Sequence, residues 1–214
     1  MDLAAILFIK YSMLFTMLPL AIAAVRFFRH TPATRIVAGL IVVACAIQWL
    51  ASVMTARKMN NLKLLHLYTI LEFAIITWYF SETLKGVFKR RFFWLVGIGF
   101  AALSILNSLF LQDLQHFNTY ARSLEGILVI TYCLIWYFRT LSEMKVERLQ
   151  DDPVFWINTG FLLYFSGGVL LFSVSNYILE LNRSLNLYVW AFHGLFTTIM
   201  YTLIAIGLWK LPAK

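Results

Sequence analysis

Seven long apolar runs follow one another along the chain, near residues 3–25, 36–56, 64–84, 92–112, 122–141, 153–181 and 187–209, separated by short polar stretches. Each has the length of an α-helix that crosses a hydrocarbon core of about 30 Å at about 1.5 Å per residue. The connections are short enough to force antiparallel neighbours. The pattern predicts an all-α fold, a polytopic transmembrane bundle of about seven helices forming a single domain over residues 1–214. Pro153 suits the first turn of the sixth run, where its missing N–H costs nothing. Aromatic groups at Trp78-Tyr79-Phe80, Phe92-Phe93-Trp94, Trp136-Tyr137-Phe138, Tyr188-Trp190 and Trp209 fall near run ends, as interfacial rings should.

Composition narrows the class. Of 214 residues, 61% are apolar and 13% charged, against about 45–50% and about 25% in soluble domains. A soluble core cannot absorb that much apolar surface. The net charge of +8 sits in small clusters between the runs and not along one amphipathic face. It therefore reads as topology signals and contacts to anionic lipid headgroups, and no nucleic acid partner is expected. With the N-terminus outside, the cytoplasmic segments carry 12 Lys and Arg and the outer segments 5, which favours N-outside and C-inside, although Arg57, Lys58 and Lys63 vote the other way. The expected location is the plasma (inner) membrane. The first run has no basic region before it and no small-residue cleavage site after it, so it reads as a retained helix. Cys45 and Cys133 lie mid-span without a CxxC spacing, as small buried apolar groups do.

Polar side chains inside the runs carry the chemical information. An ionisable group at the bilayer centre costs at least about 2.5–3.5 kcal/mol and should face the bundle interior with a partner. Lys10, Gln48, His66, Glu72, Asn107, Glu125, Asn176 and His193 all fall in the outer half of their spans under this orientation, with Glu72 closest to the midplane. Helical spacing aligns Ser166, Ser173, Asn176 and Glu180 on the sixth run, Cys45, Gln48 and Ser52 on the second, Glu125, Tyr132 and Arg139 on the fifth, and His193, Thr197 and Tyr201 on the seventh. These eight residues form the candidate ligand-binding set, around a hydrated pocket that opens outward and narrows toward Glu72. Ser52, Ser166, Ser173 and Thr197 read as interhelical glue. Gly167-Gly168 offers either a hinge or close helix packing.

Three function classes remain. The first is a sensor or receptor-like module that binds a small molecule or lipid in the outer pocket and passes a shift to a cytoplasmic signalling partner, for which the loop from Leu141 to Pro153 is one docking surface. The second is an intramembrane lipid-directed enzyme, with a zinc site of His66, His193 and Glu72 or Glu125; His66 and Glu72 are six residues apart, which does not put them on one helix face. The third is a proton-coupled transporter. No Lys precedes Lys210 in the seventh run to hold retinal, and Walker, Rossmann and GxSxG motifs are missing. The sequence assigns no catalytic residue, cofactor or metal, and the sensor-like reading is the one it favours.

Overall fold

The computed structural model describes residue 8 and residues 11–143, 148–181 and 183–211, and within these the side chains of all but residues 13, 27, 174–181 and 183–186. Seven α-helices make up the described chain: α1 (Met17–Val25), α2 (Pro32–Ala56), α3 (Leu62–Thr83), α4 (Arg90–Leu106), α5 (Thr119–Glu143), α6 (Pro153–Leu181) and α7 (Arg183–Trp209). A 3-10 turn, Met13–Thr16, leads into α1, and α4 widens into a π turn over Asn107–Leu111. Six of the helices are long and apolar enough to cross a membrane. The chain is an integral membrane helical bundle, as its apolar runs predict. Much of the first expected span, Lys10 included, lies outside the described residues.

Local chemistry sets several helix starts. Thr31 caps α2 by accepting from the Thr34 N–H at 3.3 Å, with Pro32 at the first helical position. Asp152 does the same for α6, accepting from Val154 N–H at 2.8 Å just before Pro153. Asn60 accepts from Leu62 N–H at 2.8 Å and opens α3. The turn between α3 and α4 needs Gly86 at φ +91°. Arg139 of α5 ties that turn down, donating to the Lys85 carbonyl at 2.7 Å.

Among the described residues the packing neighbours run α1–α2–α3–α5–α6–α7 and back to α1, a ring of six, with α4 laid against the outside of α3. The consequence shows in burial: half of the most apolar stretch of α3 is enclosed, against 17% for α4. Inside the ring, the half near the α1–α2, α3–α4 and α5–α6 connections is an aromatic plug. Tyr79, Phe80 and Phe161 are fully enclosed there with Ile157 and Leu208. Tyr79 donates to Asn158 Oδ1 at 2.9 Å, so its buried hydroxyl keeps a hydrogen bond. The helix α6 runs unbroken through Gly167-Gly168, and a Cβ on Gly167 would meet the Phe196 ring at 2.4 Å. This glycine therefore provides close approach between α6 and α7, and the helix does not break there.

Candidate ligand-binding site

The opposite half of the ring is built differently. At the end where α2 and α6 finish and α3, α5 and α7 begin, a cavity of about 280 Å³ opens among Gln48, Tyr68, Glu72, Arg122, Tyr164 and His193, with Ala44, Ala51, Phe172, Trp190, Thr197 and Tyr201 completing its walls. Five helices contribute to it.

Arg122 organises the floor. It stands one turn into α5, and its side chain is only 4% exposed. Its Nη1 donates to Glu72 Oε2 on α3 and to Glu125 Oε2 on its own helix at 2.7 Å, while Nη2 donates to the Tyr164 hydroxyl on α6 at 3.1 Å. The guanidinium carbon lies 4.9 Å from the centre of the Phe172 ring, within cation–π range. Glu72 is completed from its own helix by Tyr68, whose hydroxyl donates to Oε1 at 2.9 Å. Glu125 is fully buried, and its Oε1 and Arg122 Nε have no hydrogen-bond partner. One guanidinium thus faces two buried carboxylates, and the cluster holds a surplus of acceptors over donors.

The network then crosses to α7. Tyr164 already accepts from Arg122, so its own proton is free to point at His193 Nε2, 3.2 Å away. In that arrangement Nε2 accepts and the imidazole proton sits on Nδ1. Rings of Tyr164, Phe172 and Trp190 surround His193, with centroids 5.6, 5.3 and 5.5 Å away. Phe117, from the link between α4 and α5, packs tilted against Trp190 with ring centres 5.1 Å apart and closes one side. On α2, Gln48 Oε1 accepts from Thr16 at 3.3 Å, which brings the turn before α1 to the cavity edge.

Of the eight candidates, Glu72, His193 and Gln48 line this cavity, and Glu125 stands behind it through Arg122. His66 and Asn107 are placed elsewhere. His66 is buried against the α4–α5 link, with Nδ1 at 2.7 Å from Ser108 Oγ and Nε2 at 3.1 Å from the His116 carbonyl. Asn107 donates to Gln112 at 3.2 Å, and Gln112 in turn donates to Thr119 at 2.7 Å. Both side chains fasten the connection whose Phe117 walls the cavity. Lys10 and the side chain of Asn176 lie outside the described residues. Ser166 and Ser173 of the α6 stripe are exposed, so these two serines do not face the ring interior. The fifth-run alignment spreads over both ends: Glu125 joins the network while Arg139 pairs with Glu143 at 2.8 Å.

Sequence reading missed Arg122, Tyr68 and Tyr164. Arg122 falls at the predicted start of the fifth run and counts there as an outer loop charge. The helix begins three residues earlier, at Thr119, and that extra turn carries the guanidinium into the ring.

A zinc site of two histidines and a carboxylate would require His66 and His193 to converge, and they do not. Among the described residues no group of three His, Cys, Asp or Glu is placed to hold a metal ion. No known family, curated protein or solved structure matches this chain.

Proposed function

We propose that this protein is a ligand-binding membrane module of the sensor or receptor kind, which takes a small amphipathic molecule into the cavity beside Glu72 and His193. The observation that carries the reading is the union of that cavity with a buried network spanning four helices: Glu72 on α3, Arg122 and Glu125 on α5, Tyr164 on α6 and His193 on α7. A molecule that competes for Glu72, Tyr68 or His193 must alter hydrogen bonds that hold these helices together. Binding is thereby coupled to helix position, which is what a sensor needs. The volume of about 280 Å³ is close to the lower end of ordinary small-molecule sites, about 300–1,000 Å³. The polar groups suit a hydrogen-bonding head, and Ala44, Ile47, Leu65 and Met200 suit an apolar body.

Charge favours an extracytoplasmic opening. With Arg122 buried in the ring, the segments at the cavity end keep Arg57, Lys58, Lys63 and Arg183, whereas the other end carries the other 12 basic residues outside the first run. The aromatic plug then lies between the cavity and the cytoplasmic connections. We assign the protein to the plasma (inner) membrane on the same grounds.

The test is native mass spectrometry of protein isolated from its own membranes. Wild type should carry a small-molecule mass adduct that Ala51→Trp loses, because Ala51 lines the cavity from α2 and an indole there takes up its space. Equal adducts in both proteins, or none in either, would count against the proposal.

A further inference from the structure

A second site lies at the opposite end, on the lipid-facing side of α3. Two grooves flank that helix. One, of about 440 Å³, runs between α2 and α3 from Pro32, Arg35 and Glu82 toward Val43, with Arg90 of α4 at its mouth. The other, of about 350 Å³, runs between α3 and α4 from Ser81 and Phe93 toward Ala101, and its walls are almost wholly apolar. Both include Ile75 and Trp78, so the half-exposed Trp78 ring stands between them as a divider.

The arginines at the mouth are placed where helix stability does not want them. Arg35 lies in the first turns of α2, and Arg90 and Arg91 open α4, so all three set positive charge at helix N-termini, where the dipole favours anions. Arg35 and Arg90 are exposed, and neither guanidinium has a hydrogen-bond or ion-pair partner among the described residues. Glu82, the one carboxylate at the mouth, is already paired with Lys85. The mouth thus offers two free guanidinium groups and two helix N-termini, with an apolar groove descending on each side of Trp78.

The glycines say that the grooves are open space. A Cβ on Gly39, in the first groove, would meet nothing within 4 Å, and one on Gly97, in the second, would meet only Thr77 Cγ2 at 4.0 Å. Elsewhere in the bundle the contrast is sharp: the equivalent atom on Gly207 would lie 2.7 Å from the Pro153 carbonyl. Gly39 and Gly97 therefore leave room on the outer surface and do not serve helix contact.

We propose that this face binds one anionic phospholipid from the leaflet at the arginine-rich end, its phosphate held between Arg35 and Arg90 and its two acyl chains seated in the two grooves astride Trp78. The first groove spans 12 residues of α2, from Pro32 to Val43, and the 11 steps between its ends cover about 17 Å at about 1.5 Å per residue. That depth takes the upper part of an acyl chain. The site is independent of the cavity on the far side of the bundle.

The experiment is native mass spectrometry of the detergent-purified protein titrated with phosphatidylglycerol, phosphatidylcholine and lysophosphatidylglycerol of matched acyl length. Wild type should retain phosphatidylglycerol well above the other two. Arg35→Gln with Arg90→Gln should weaken phosphatidylglycerol about thirtyfold, from the loss of two basic contacts near an anionic headgroup, and leave phosphatidylcholine unchanged. Gly39→Leu with Gly97→Leu should lower retention of both two-chain lipids, with thermal unfolding in the same detergent as the check that the fold is kept. Equal retention of phosphatidylglycerol and phosphatidylcholine by wild type would overturn the headgroup assignment. Retention of the single-chain lipid as strong as that of its two-chain parent would overturn the two-groove seat.

Discussion

Replacing Arg122 by Gln removes the only cation among the described residues that touches Glu72 and Glu125. Their side chains are 4% and 0% exposed, so Glu125 is shut off from solvent and Glu72 reaches only the cavity. Removing one partner of a buried ion pair costs about 3–5 kcal/mol, because the charge left behind is uncompensated. The Tyr164 hydroxyl loses its donor as well, and the Phe172 ring loses its cation. For a domain of this size about 1 kcal/mol moves the unfolding midpoint by about 2–4 °C, so Arg122→Gln should unfold about 6–20 °C below wild type. Thermal unfolding in detergent, followed by circular dichroism, reads this directly. Arg122→Lys keeps the charge but cannot serve three acceptors with a planar fork, and should fall between the two. The triple variant Glu72→Gln, Arg122→Gln, Glu125→Gln removes the stranded charges along with the cation and should recover most of the loss. An Arg122→Gln protein that unfolds with wild type, or a triple variant no better than the single, would refute the claim that a buried charge network joins α3, α5 and α6.

Two smaller predictions follow from the same packing. Gly207→Ala pushes a methyl against the Pro153 carbonyl and Ile157 and should cost about 1–3 kcal/mol by overpacking, whereas Gly97→Ala, facing open space, should be neutral or gain up to about 1 kcal/mol from helix propensity; paired unfolding curves separate them. Burial raises the carboxyl pKa of Asp152, outside the membrane span, above its ordinary 3.8, so the folded state holds that proton more tightly than the unfolded chain and the group's contribution to stability grows as pH falls. Asp152→Asn, which keeps the cap on Val154, should therefore give a gain at neutral pH, damped by the solvent that still reaches the carboxylate, that disappears below pH 3.8; a loss at neutral pH would contradict the argument.

The bundle was legible because apolar length is a strong signal and needs no tertiary information. The sixth run matches α6 residue for residue, and the seventh begins four residues late only because Arg183 carries a charge into the first turn of α7. Depth arithmetic also carried Glu72, Gln48 and His193 to one end of the ring. Depth says nothing about direction, and His66 and Asn107 turn from the cavity to the α4–α5 link, where the Ser108 hydroxyl and His116 carbonyl hold the one and the Gln112 side chain the other. Arg122 was hidden by a boundary. Hydropathy begins the fifth run at the charge itself, while Thr119 and Ala121 carry the helix one turn further. The signal was nevertheless present, since Arg122 and Glu125 share a helix face at a spacing of three and a deep Glu72 requires a cation somewhere. Tyr68 could be found the same way, four residues before Glu72.

The central claim is a wet cavity that opens to the extracytoplasmic side above the Arg122 network. Its most direct test is Thr197→Cys in a background with Cys45 and Cys133 changed to Ser, treated in intact cells with a membrane-impermeant thiol reagent. Thr197 lines the cavity wall, so modification should occur from outside and be blocked when Ala51→Trp fills the space. A thiol at 197 that stays unmodified, or that reacts only from the cytoplasmic face of inverted vesicles, would contradict the account.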